Sequence, residues 1–139
     1  MTNRGFVIAF LITLIPTILI VVSCQNEPQV IGTLEGTVNI GPIWPVERPG
    51  ESRPVPPQVF ETRKVIVYSE SKTKIIKTVD LIQIGQSSKA NYSVRLIPGY
   101  YVVDVTHGGI DSSSEVPRKV EIRPGQTVVV DIDIDTGIR

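Results

Sequence analysis

Hydrophobic and polar residues follow two different patterns along this chain. Residues 6–22 are an unbroken uncharged run, FVIAFLITLIPTILIVV, with Pro16 in its middle. From residue 33 onward the apolar positions come in short bursts that alternate with polar ones, the period of half-buried strands. Leu34–Ile40 places Leu34, Gly36, Val38 and Ile40 on one face. Thr62–Ser69 is rich in β-branched residues around Val65-Ile66-Val67-Tyr68, and Lys74–Ile84 is a longer apolar-polar run. Asn91–Ile97 puts Tyr92, Val94 and Leu96 on one face, and Tyr100–Thr106 puts Tyr101, Val103 and Val105 inward. Val116–Arg123 and Thr127–Asp135 follow, with Val120 and Ile122 opposing Val128, Val130, Ile132 and Ile134.

Turn chemistry separates these runs. Pro98-Gly99 and Pro124-Gly125 suit the centres of tight turns, where proline sets φ and glycine supplies positive φ; they predict two hairpins, 91–97 with 100–106 and 116–123 with 127–135. Glu70–Thr73 and Gly85–Lys89 are polar connections, and His107–Glu115 is a polar loop with two glycines and three serines. Residues 41–58 hold six of the eleven prolines. Proline lacks a ladder donor, which excludes an interior strand there and predicts an extended loop. No segment after residue 32 sustains a 3.6-residue period. The expectation is an all-β, seven-stranded antiparallel β-sandwich, preceded by an apolar signal helix.

The beginning of the chain bears on where the domain resides. Arg4 and the α-amine precede the apolar run, and Val21-Val22-Ser23-Cys24 follows it, the order of a secretory signal. Those four residues resemble the bacterial lipobox, two aliphatics and a small residue before cysteine. The resemblance implies diacylglycerol transfer to the Cys24 thiol and cleavage between Ser23 and Cys24. Stable anchoring takes two acyl chains, each buried CH₂ adding about 0.8 kcal/mol, and a diacylglyceryl group supplies two. The alternative is an uncleaved transmembrane anchor, since 17 residues lie near the lower limit of a span. Either way residues 25–139 are expected outside the cytoplasm, held at the cell membrane or outer membrane. The expected organisation is a signal peptide at 1–23, a tether at 24–32 and one sandwich domain at 33–139.

Charge and composition narrow the partners. Removal of residues 1–23 leaves 13 basic and 14 acidic side chains, net −1, with both signs interspersed. Such a domain lacks the basic footprint of a nucleic-acid binder. A single cysteine cannot form an internal disulfide. The expected partners are membrane lipid through acylated Cys24 and an envelope protein or glycan.

Several segments together resemble bacterial carboxypeptidase regulatory-like domain proteins. These are Gly36-Thr-Val38, Gly41-Pro42 with Pro45-Val46 and Pro49-Gly50, Tyr92-Ser-Val94-Arg-Leu96-Ile-Pro98-Gly99-Tyr-Tyr101, Ile122-Arg-Pro124-Gly125 and the ending Asp135-Thr-Gly-Ile-Arg139. The resemblance covers nearly all of residues 33–139. It implies a transthyretin-like sandwich, often exported, of the kind that includes carbohydrate-binding-like folds, and it implies no peptidase activity. Relatives often carry two cysteines in the proline-rich loop; here Trp44 stands in one such place and Ser52-Arg53 in the region of the other.

No catalytic constellation emerges. A zinc hydrolase needs several His, Glu or Cys ligands, and the chain has one histidine, His107. His107 lies beside Gly108-Gly109 with no nucleophile elbow nearby; it reads as a solvated loop residue, and Ser112–Ser114 likewise. No cofactor is expected. Asp131, Asp133 and Asp135 share one strand face. Spaced about 6.6–6.8 Å apart, they are too far apart to share one Ca²⁺ directly, and a solvated face that discourages edge pairing is the simpler account. A Lys–Asp isopeptide through Lys64 or Lys74 and Asp131 would need burial that these positions do not predict. Trp44, the single tryptophan, and Tyr100, on the face opposite Tyr101, are the candidate ligand contacts; a buried Trp44 would instead pin the proline-rich loop to the sandwich. The expected function is a non-catalytic, lipid-anchored module with a structural, adhesive or protein-interaction role, with glycan binding through Trp44 and nearby aromatics as the second possibility. Cys24→Ala is expected to abolish both lipid labelling and processing, read by radiolabelled-lipid incorporation and the mass of the mature chain.

Overall fold

The computed structural model describes residues 29–46, 50–51 and 53–139. The apolar leader, Ser23 and Cys24 lie outside the described residues, as do Glu47, Arg48, Pro49 and Ser52 of the proline-rich loop. The described chain is all-β, apart from one helical turn, and forms two stacked sheets.

The first sheet is built on β1 (Gly32–Gly41). It pairs antiparallel with β5 (Lys89–Leu96), from Gly32 opposite Leu96 to Asn39 opposite Lys89. β4 (Ile82–Gln83) adds to the far side of β5. On its other side β1 pairs in parallel with β8 (Thr127–Val129) and then β9 (Ile132–Asp135). The second sheet runs in the order β3 (Ile75–Asp80), β2 (Lys64–Ser69), β6 (Gly99–Val105), β7 (Arg118–Ile122), antiparallel throughout.

Alternation places the core where the pattern put it. Leu34, Val38 and Ile40 of β1, Tyr92 and Leu96 of β5, and Ile132 and Ile134 of β9 meet Val65, Val67, Val103, Val105, Val120 and Ile122 of the opposite sheet, all buried. Burying one such side chain contributes roughly 1.5–3 kcal/mol.

Three expectations are corrected. The two Pro-Gly turns do not close hairpins. β5 and β6 belong to different sheets, and so do β7 and β8. Pro98-Gly99 and Pro124-Gly125 therefore carry the chain across the sandwich. The second makes the turn its residues suit: Gly125 has φ +66, and Gln126 N–H donates to Arg123 O at 3.2 Å. That turn docks on the start of β1, where Thr33 N–H donates to Gln126 O at 2.9 Å. A tight turn fixes a reversal of direction but not which neighbour supplies the ladder.

Secondly, the first sheet is mixed rather than antiparallel, because the last segment lies parallel to β1. Thirdly, seven predicted strands become nine described ones. The run 74–84 divides at Leu81, where the chain passes from the edge of one sheet to the edge of the other. The run 127–135 divides at Val130-Asp131.

This second break has a specific chemistry. The offset between partners is the same on both sides of it, Glu35 opposite Val129 and Val38 opposite Ile132. Val130 N–H donates to Glu35 O at 2.9 Å. A regular parallel ladder would next bring Thr37 N–H to Val130 C=O. Instead Thr37 N–H donates to the Asp131 carboxylate at 2.8 Å, and the Val130 carbonyl turns inward to accept the Tyr92 hydroxyl at 2.6 Å. The space it turns into exists because residue 36 is glycine: a Cβ there would lie 2.0 Å from Val130 O. Burial pushes the Tyr92 phenol above its ordinary value, which keeps it protonated as the donor.

The proline-rich loop also contributes to the core. α1 (Gln58–Glu61) is a single turn that buries Phe60, and Val55 before it is buried too. Val55 N–H donates to Gln86 O at 2.9 Å and the Gln83 side-chain amide donates to Val55 O at 2.9 Å. The loop is thus tied to the Gln83 side chain of β4 and to the turn that follows it.

Tyr92→Phe would leave the buried Val130 carbonyl without its partner, and is expected to destabilise the domain by about 1–3 kcal/mol. Gly36→Ala, which forces a methyl group against backbone, is expected to cost at least as much, about 1–3 kcal/mol or more. Both are read from urea unfolding midpoints at constant slope.

Candidate functional site

The two aromatic candidates do not form one site. Trp44 follows the end of β1 and is half-buried, and its neighbour Ile43 packs against the core. Tyr100 is exposed on β6, close to the Leu96 end of β5, which pairs with the start of β1. Ten residues of β1 separate these ends, about 30 Å at 3.3 Å per residue. Tyr100 stands opposite Glu121 on β7. Glu121 in turn accepts Arg123 at 2.9 Å, which holds its carboxyl below the ordinary value.

The three aspartates are each engaged separately. Asp131 caps Thr37 N–H. Asp133 accepts the Asn39 side-chain amide at 2.9 Å. Asp135 accepts Arg139 at 2.8 Å and Gly137 N–H at 2.8 Å, and the Arg139 guanidinium holds its carboxyl low. Among the described residues no three His, Cys, Asp or Glu side chains converge as a metal-ligand set.

His107 is 42% exposed in its side chain, its Nε2 3.7 Å from Asp104 Oδ1. Asp104 itself is buried and is held by Lys72 Nζ at 2.7 Å, with the lysine also lying over the Tyr68 ring at 5.6 Å. The hydroxyls of Ser113 and Ser114 donate to Glu115 at 2.9 and 2.7 Å. The serines are therefore occupied in fixing a carboxylate. Lys64 pairs with Asp80 across β2 and β3, away from Asp131.

Two features escaped sequence reasoning. Arg63 grips Asp111 with two guanidinium nitrogens, at 2.7 and 3.1 Å, and donates to Val59 O at 2.7 Å. The Asp111 side chain is 3% exposed. This pair ties the residues before β2 to the loop 107–115. The partners are 48 positions apart, so no local spacing signals them.

The second is a groove of about 530 Å³ on the outer face of the first sheet, at the break between β8 and β9. Its walls are Glu35, Gly36 and Thr37 of β1, Asn91, Tyr92 and Ser93 of β5, and Val129 and Asp131, with Ile82 at one side. A second hollow of about 310 Å³ adjoins it through Thr37 and Asp131 and reaches Asn39, Lys89 and Asp133. Hydrogen bonds fix the side chains on this face: Thr37 Oγ1 donates to Asn91 Oδ1 at 3.3 Å, and Ser88 Oγ donates to Asn39 Oδ1 at 3.0 Å. The floor thus offers hydroxyl, amide and carboxylate groups at strand spacing between two exposed apolar residues, Ile82 and Val129. It can hydrogen-bond a polar ligand along its length, and among the described residues that line it no nucleophile is paired with a base. The polar positions were legible as the outer face of strands; the hollow follows from the interruption at Val130, which they do not encode.

The fold and this face define an all-β sandwich with an outer polar groove. No protein-family model matches the chain, and no curated protein matches it. Among solved structures it is similar to a DUF3823 family protein from Parabacteroides merdae ATCC 43184, at 16% identity and a TM-score of 0.43, over 77% of this chain and 47% of that one. It is also similar to GBS52, the minor pilin in Streptococcus agalactiae, at 16% identity and a TM-score of 0.40, over 76% of this chain and 45% of the pilin. The chain spans less than half the length of either.

The serine hydroxyls hold the Glu115 carboxyl down at about 2, against an ordinary 4.5. A depressed folded-state value means stability that is present above pH 4.5 and is lost as pH falls toward about 2. Glu115→Gln is expected to lower stability at neutral pH and to flatten its fall between pH 4.5 and about 2, as measured by thermal unfolding across pH.

Proposed function

We propose that this chain is a non-catalytic β-sandwich module, anchored by lipid on Cys24 and working outside the cytoplasm as a structural or adhesive binding unit. The observation that carries the reading is how the reactive side chains are used. Ser113 and Ser114 are donors to Glu115, His107 neighbours an Asp104 already held by Lys72, and the aspartates of the last strand cap backbone and side-chain groups. Polar chemistry is spent on rigidity, as a scaffold requires. The anchor rests on Val21-Val22-Ser23-Cys24 and the apolar run before it. The kinship with carboxypeptidase regulatory-like domains rests on the segments quoted from the sequence, and two stacked sheets are compatible with it.

Glycan binding is the second reading, and the outer groove favours it. Hydroxyl, amide and carboxylate groups between apolar flanks suit the alternating polar and apolar edges of a sugar. This groove takes the place of a joint Trp44–Tyr100 surface.

A glycan array separates the two. The structural reading expects no saturable binding. Binding lost in Asn91→Ala and kept in Trp44→Ala would establish the glycan reading at the groove, and the reverse pattern would assign it to Trp44.

A further inference from the structure

The chain enters the sandwich at one end, and that end has a surface of its own. β1 begins there at Gly32, opposite Leu96, the last residue of β5. Both crossings between the sheets, Ile97-Pro98 and Arg123–Gln126, lie at the same end. So does the turn between β2 and β3, because Ser69 stands opposite Tyr101 near the start of β6. Gly125 N–H donates to Ile31 O at 3.0 Å, which docks the residues before β1 on the second crossing, and the Tyr101 hydroxyl donates to Ile97 O at 2.7 Å, which holds the first. These fixed segments display Val30, Ile97 and Tyr100 at 61%, 55% and 54% exposure. Among the described residues of this end, Arg123 pairs with Glu121, Lys119 with Glu70 and Lys72 with Asp104. Lys74 and Arg95, both exposed, remain as an excess of positive charge.

We propose that this end of the sandwich rests on the bilayer surface, with Val30, Ile97 and Tyr100 in the headgroup region and β1 standing off the membrane. The inference rests on the acylated Cys24 of the proposed function and adds the orientation of the domain to it. The length of the connection selects the occupant. Six residues of chain lead from Cys24 to Val30. At a maximum of about 3.6 Å per residue, Val30 lies within about 22 Å of the acylated position. Exposed apolar residues also occur at the far end: Val46, after β1, and Ile110, in the loop after β6, are 65% and 73% exposed. They stand a further length of β1 away, about 30 Å at 3.3 Å per residue, beyond that reach when the strands are upright. Tyrosine suits a membrane–water interface, where its ring is apolar and its hydroxyl stays wet. Apolar side chains beside positive charge are what an interfacial contact with anionic lipid uses. Three such side chains bind weakly alone, but a short connection to the anchor holds them at high effective concentration beside the lipid.

The test uses the full acylated chain in vesicles of phosphatidylglycerol and acyl-brominated phosphatidylcholine, with tryptophan emission as the probe. Trp44, the single tryptophan, reports the far end. Trp44→Phe with Ile97→Trp moves the probe to the entry end, and Trp44→Phe with Ser93→Trp places it on the outer face of the first sheet. Trp44→Phe with Tyr100→Trp, at a position already aromatic and exposed, is a second probe of the entry end that keeps the test readable if Ile97→Trp disturbs folding. The expected result is several-fold stronger quenching in the Ile97→Trp and Tyr100→Trp chains than in the unsubstituted or Ser93→Trp chains. Adding Val30→Ser and Tyr100→Ser to the Ile97→Trp chain is expected to reduce its quenching to the control level, with the unfolding midpoint preserved and the chain still floating with the vesicles. Quenching at the entry end no stronger than in the controls, in a chain that is acylated and floats, overturns the orientation and leaves the anchor standing. A chain whose mass lacks the diacylglyceryl group, or that does not float, overturns both.

Discussion

The architecture depends on one carbonyl that leaves its ladder. At Val130 the last segment of the chain stops pairing as an ordinary parallel strand, and its C=O turns into the core to meet the Tyr92 hydroxyl. A buried carbonyl without a partner would cost about 1–3 kcal/mol, so the turn is viable only where a donor is fixed in place. Tyr92 supplies that donor from β5, directly across β1 at Gly36. Gly36 leaves the space, and Asp131 takes over the Thr37 N–H that the carbonyl abandons. Three strands are thereby held by one cluster, with every displaced backbone group satisfied.

The same interruption shapes the surface. A continuous strand at 127–135 would present a flat outer face. The break opens the hollow between Thr37, Asn91 and Asp131 and spoils the outer edge of that sheet as a template for further strands. Stability and surface function are thus linked at one place: what fixes the last strand to β1 also creates the groove and guards the edge.

Much of the fold was legible in the sequence because burial imposes a period. The inward residues of β1, β5, β6, β7 and β9 are those the alternation selected, and the described prolines of the 41–58 stretch lie outside both sheets. Pairing was less legible. Pro98-Gly99 and Pro124-Gly125 announce turns, yet a turn that closes a hairpin and one that crosses between sheets use the same residues, and only the packing of distant strands distinguishes them. The candidate site divides in the same way. Asp131, chosen as one of three aligned carboxylates, lines the groove, where it caps Thr37 N–H. Trp44 and Tyr100 attracted attention as aromatics, and their separation by the length of β1 depends on topology. Arg63 and Asp111 carried no local signal at all.

Residue-resolved hydrogen exchange measures the central claim directly. If the last segment is locked to β1 through the turned carbonyl, the amides of Thr37, Val130 and Ile132 exchange only with global unfolding, at the same free energy as the amides of β2 and β6. Exchange of 127–135 by local opening, with β2 and β6 still protected, would contradict it.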